Sequence, residues 1–78
     1  MGHVKSGFVL SISRNDNIGL VREVDTMTDW VFFLDEMSKE QLRDIKINSF
    51  VTFVRDADYE HPVAMDLKPN FNLYRKAV

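Results

Sequence analysis

Trp30-Val31-Phe32-Phe33-Leu34 is the stretch on which the fold turns. Five bulky apolar residues stand in a row, with the polar run Asp25-Thr26-Met27-Thr28-Asp29 before them and Asp35-Glu36 after. A short, wholly apolar run of this kind fits a strand that is covered on both sides, or one that exposes a sticky face. Working back from it, Ile18-Gly19-Leu20-Val21-Arg22 reads as a strand whose glycine implies a bulge or a close backbone approach. Before that, Gly7-Phe8-Val9-Leu10-Ser11-Ile12-Ser13 is β-prone and ends at Arg14-Asn15-Asp16-Asn17, a strong turn signal, so these two strands should pair as a hairpin.

Working forward, Ser38-Lys39-Glu40-Gln41-Leu42 has the Ser-x-x-amide form of a helix N-terminus, enough for a turn or two. Phe50-Val51-Thr52-Phe53-Val54 is expected as a fourth strand. Pro62-Val63-Ala64-Met65-Asp66-Leu67 is expected as a fifth, with proline at its first position, where the missing N–H is tolerated. Five short, closely spaced strands with one longer connection between the third and fourth imply an all-β chain, closed or nearly closed into a small barrel. Residues 1–5 are a lead-in, 6–68 the barrel and 69–78 a tail. Met1-Gly2-His3 reads as a remnant of recombinant expression, and the chain is expected to be a piece of a longer protein.

Seventy-eight residues suit one domain with a thin stability margin. The apolar fraction of 45%, including one Trp, two Tyr and six Phe, is that of a globular chain and not of a disordered one. There is no cysteine, so disulfides and thiolate metal sites are excluded and a reducing, cytoplasmic setting is expected. No apolar run reaches membrane-spanning length. Ten basic and twelve acidic residues leave a net charge of −2, which is not the basic footprint that drives phosphate binding. Single strands can still be held by stacking on rings.

The strand plan resembles the cold-shock domain, a five-stranded OB-type barrel that binds single-stranded RNA and DNA. The likeness covers Gly7 to Lys68. Gly7 to Ser13 stands where that family has Gly-x-Val-Lys-Trp-Phe-Asn, and Asn17-Ile18-Gly19-Leu20-Val21 where it has Gly-Phe-Gly-Phe-Ile. Val31-Phe32-Phe33-Leu34-Asp35 matches Val-Phe-Val-His-Phe, after a loop about two residues longer than usual. Val51-Thr52-Phe53 and Pro62-Val63-Ala64 match the last two strands.

The resemblance implies a framework kept better than its ligand face. Carried over position by position, the family's tryptophan becomes Ser11 and the two phenylalanines of its first motif become Ile18 and Leu20. In the second motif Phe32 is retained, the histidine becomes Leu34 and the last phenylalanine becomes Asp35. The ring of the long loop becomes Leu42, and nearby lysines become Leu10 and Asp16. Stacking contributes on the order of 1–3 kcal/mol per base, so losses on this scale should weaken autonomous binding roughly a thousandfold or more.

Alternation along the third strand is expected to put Trp30, Phe32 and Leu34 on the old ligand face and Val31 and Phe33 inside. With Leu10, Ser11, Ile18, Leu20 and Arg22 they would form an exposed apolar patch of about a few hundred Å², a size that marks interaction sites. Two alternatives remain open: Phe71 and Tyr74 of the tail fold back over this cluster, or the cluster pairs with a second copy.

Other features point to no chemistry. His3 and His61 are far apart in sequence and lack a carboxylate set for a metal. Asp35-Glu36 and Asp56-Ala57-Asp58 read as solvated loop charges. Lys39, Arg43 and Lys46 read as a solvated face or a small phosphate-contacting edge. No nucleophile–base–orienter set and no glycine-rich phosphate loop can be assembled. The expectation is therefore a module without catalysis, cofactor or small-molecule substrate, and without membrane attachment. Its partner would be single-stranded RNA, held weakly, in a protein of translation or messenger-RNA control. The alternative is a protein or neighbouring domain on the same face.

Overall fold

The computed structural model describes residues 3–70. Five strands form one antiparallel sheet: β1 (Lys5–Ser13), β2 (Ile18–Glu23), β3 (Asp29–Phe33), β4 (Phe50–Arg55) and β5 (Ala64–Pro69), in the order β3-β2-β1-β4-β5. A 3₁₀ turn (Leu34–Glu36) and a short helix, α1 (Lys39–Asp44), bridge β3 and β4. The class is the expected all-β, OB-like one, with the helical turn in the expected connection. The sheet stops short of closure: β3 meets the segment just before β5 through one isolated parallel bridge, Val31 to Val63, with the Val31 N–H donating to the Pro62 carbonyl at 3.0 Å.

Strand limits shift by a residue or two from the sequence expectation, most visibly at β1 and β5. Lys5 already belongs to β1, paired with Phe53, and the fifth strand begins at Ala64, not Pro62, and runs on to Pro69. Pro62 serves instead as the acceptor that joins the two sheet edges.

Asparagine and aspartate take the backbone positions that glycine often fills. Asn17, Asn48 and Asp66 have φ of 61°, 71° and 55°, left-handed values these short polar side chains tolerate. Asn17 closes the β1–β2 turn through its N–H to the Arg14 carbonyl. Asp66 sits where the β4–β5 register shifts, and a second shift between Val9 and Ser11 bends β1 around the core.

Helix α1 is set by its first turn. The Ser38 hydroxyl accepts from the Gln41 N–H at 3.1 Å while the Gln41 side chain accepts from the Ser38 N–H at 2.8 Å, the capping box foreseen from the sequence. The Gln41 amide then donates to the Leu67 carbonyl at 2.8 Å and ties the helix to β5.

The core follows strand alternation on β2, β3 and β4, while on β5 the register shift sets its inward residues three apart. Val9, Val21, Trp30, Phe32, Val51, Phe53, Ala64 and Leu67 face inward, with Leu34 and Ile45 entering from the β3–β4 connection. Trp30, Phe32 and Leu34 are thus interior residues, at 5%, 1% and 7% exposure, and the phase expected for β3 is reversed. Val31 and Phe33 are the half-exposed residues of that strand. A one-residue change of phase carries every side chain of a strand to the other face.

Two contacts explain the reversal. Gly19 lies opposite Phe32 in the β2–β3 ladder, and only a residue without Cβ leaves room for an inward ring there. Trp30 turns in beside Phe53, 5.6 Å between rings, and its indole N–H donates to Glu23 at 3.1 Å. Glu23 is the one buried charged residue among those described, and Lys5 pairs with it at 3.6 Å. Lys5 and Arg55 lie over the indole at 5.4 and 5.8 Å from its centroid, so the ring is sealed by cations.

Candidate binding face

The outer face of β1, β2 and β3 is read from its cross-strand pairs. Residues directly opposite one another share a side of the sheet. Ile18 faces Phe33, Leu20 faces Val31, Arg22 faces Asp29, and Phe8 faces both Arg22 and Phe50. All but Asp29 are half-exposed. Ser11 is exposed opposite Leu20, and Leu10 stands half-buried at the β1 bulge.

Five of the eight residues singled out from the sequence therefore stay together at the outer surface: Leu10, Ser11, Ile18, Leu20 and Arg22. Trp30, Phe32 and Leu34 leave it for the core. Their places go to Val31 and Phe33, and the rings Phe8, Phe50 and Tyr59 join them. The phase of an all-apolar run carries no alternation to read. The usable signal was Gly19, whose missing side chain leaves room for the Phe32 ring opposite it.

Two ring pairs frame the face. Phe8 and Phe50 meet edge-on, 6.4 Å apart at 70°. Phe33 and Tyr59 lie 5.7 Å apart, tilted by 41°. Tyr59 belongs to the β4–β5 loop, which is held in shape locally. Arg55 donates to the carbonyls of Tyr59 and Glu60 at 3.2 and 2.9 Å, and the Asp58 N–H donates to the Asp56 carboxylate at 3.0 Å. The β1–β2 loop is tied to the end of β3 as well. The Asn17 side chain accepts from the Asp35 N–H at 2.9 Å and its carbonyl from the Leu34 N–H at 3.0 Å.

The face is poor in cations available to a phosphate. Arg22 is engaged by Asp29, with Nε and Nη2 donating to the two carboxylate oxygens at 2.8 and 3.2 Å. This hydrogen-bonded pairing holds the Asp29 carboxyl below its ordinary pKa and the Arg22 guanidinium above its own, in a solvent-accessible position. The bordering loops add Asp16, Asp56, Asp58 and Glu60 against Arg14. An open cleft of about 910 Å³ runs beside Phe33 along the unladdered β3–β5 side, with Lys5 and Arg55 on one hand and Glu36, Asp56 and Asp58 on the other.

Among the described residues no group of three or more His, Asp or Glu is placed to hold a metal ion, and no helix is long and apolar enough to cross a membrane. Coverage of the patch by Phe71 and Tyr74 falls outside the described residues. No protein-family model, no curated protein and no solved structure matches this chain.

Proposed function

We propose that this chain is a non-catalytic OB-type module of a cytoplasmic, RNA-associated protein, similar to a cold-shock domain, that contacts unpaired RNA bases weakly. The observation that carries it is the Phe33–Tyr59 ring pair, solvent-accessible on the β2–β3 face and supplied in part by the β4–β5 loop. In OB-type sheets this face and the loops after strands 1 and 4 are where oligonucleotides lie. With Phe32 in the core, the ring on this face is Phe33, one residue along from the phenylalanine that the resemblance matched to the second cold-shock motif.

Two rings can contribute on the order of 1–3 kcal/mol for each base stacked, with little phosphate contribution from a face whose arginine is already paired. Affinity on the order of tens of micromolar or weaker follows, with a shallow salt dependence. An NMR titration with oligouridylate tests this. Shifts centred on Leu20, Val31, Phe33 and Tyr59 support the proposal.

A second reading rests on the aliphatic centre of the face, Ile18, Leu20 and Val31, which offers more to a protein surface than to bases. Silence at millimolar RNA, together with loss of partner capture by Leu20→Asp, would select it.

A further inference from the structure

At the other end of the β1–β2 loop, an open groove of about 980 Å³ runs between that loop and α1. Its floor is aliphatic. Ile45 is buried in the core, Ile12 and Leu42 pack against the core from outside, and Ile47 stands 55% exposed. Its rim holds Arg14, Arg43 and Lys46, all exposed, and no carboxylate is among its lining residues. Arg43 has only its sequence neighbour Asp44, at 3.2 Å, as an ion-pair partner, and neither Arg14 nor Lys46 has one among the described residues. In a chain of net charge −2 this is a local concentration of positive charge around an unpartnered apolar strip.

We propose that this groove docks an acidic peptide segment in which carboxylates alternate with aliphatic side chains, independently of the RNA face. Charge complementarity selects the occupant's sign, and the floor selects its apolar part. No aromatic residue lines the groove, so unpaired bases would find nothing to stack on, which disfavours a nucleic-acid strand as occupant. An aliphatic floor with exposed Ile47 likewise gives a free phosphate nothing beyond three screened charges.

Three isotope-labelled titrations of the full chain test it: with a short peptide alternating glutamate and leucine, with the same peptide carrying serine for leucine, and with oligouridylate. The leucine peptide should shift the amides of Leu42, Lys46 and Ile47, and the serine peptide should bind at least about tenfold more weakly, since it loses the apolar contact. Arg43→Glu combined with Lys46→Glu should weaken the leucine peptide by about tenfold or more while leaving uridylate shifts at Phe33 in place. Both residues are exposed, so the fold should be retained, with Trp30 fluorescence as the check. The proposal is overturned if the leucine peptide leaves these amides unmoved at millimolar concentration, or if the serine peptide binds equally well. It is overturned too if uridylate moves the same amides at lower concentration than the peptide does.

Discussion

The ring of Phe32 fills the space that a side chain on Gly19 would need. A Cβ placed on Gly19 would stand 2.2 Å from Cζ of that ring and under 3 Å from both of its Cε atoms. The two residues are cross-strand partners in β2 and β3, so the glycine fixes which way the apolar run of β3 points. With Phe32 in, Trp30 is in and Phe33 is out.

Gly19→Ala should therefore destabilise the chain by about 1–3 kcal/mol, the usual scale of overpacking. A ring 1% exposed has little freedom to yield. In Phe32→Leu the same glycine substitution should cost markedly less, and a double-mutant cycle from urea denaturation would read the difference as coupling.

Phe32→Ala should remove about 3–5 kcal/mol of stability, a large part of what a domain of this size holds. Phe33→Ala, one residue along and half-exposed, should move the urea midpoint only slightly.

Glu23 is the acceptor for the buried indole N–H of Trp30. Glu23→Ala leaves that donor without a partner and should cost about 1–3 kcal/mol. Glu23→Gln keeps an acceptor oxygen and should cost less, although it gives up the Lys5 pair. Thermal melts followed by Trp30 fluorescence separate the two.

Asp29 should titrate below the ordinary aspartate value because Arg22 hydrogen-bonds its charged form. A carboxyl with a depressed folded pKa adds stability above its unfolded value, and that stability fades as pH falls through the folded one. Carboxyl-detected NMR should show the low midpoint, and Arg22→Ala should return it to the ordinary range. The pair is solvent-accessible, so added salt should diminish the shift.

The strand plan was legible in the sequence because its signals are local. Arg14 to Asn17 marks the first turn and Ser38 with Gln41 marks the helix start, each through hydrogen bonds within a few residues. The phase of β3 was not. Alternation needs polar residues between apolar ones, and Trp30 to Leu34 contains none. What decides it lies across the sheet, in Gly19 beneath Phe32 and Glu23 beside Trp30, and such pairs become visible only once the β2–β3 register is known. The start of β5 was missed for a related reason. Pro62 lies in an extended run, but its carbonyl serves β3, and β4 first pairs at Ala64. Tyr59 reaches Phe33 through a loop held by Arg55, a contact without any sequence periodicity.

The most direct measurement is an oligouridylate titration of Phe33→Ala beside the parent chain, followed by NMR and paired with a urea unfolding curve. With Phe33 on the ligand side and Phe32 in the core, affinity should fall about five- to a hundredfold while the unfolding midpoint barely moves. Unchanged affinity, or a loss of stability as large as that of Phe32→Ala, would contradict the account.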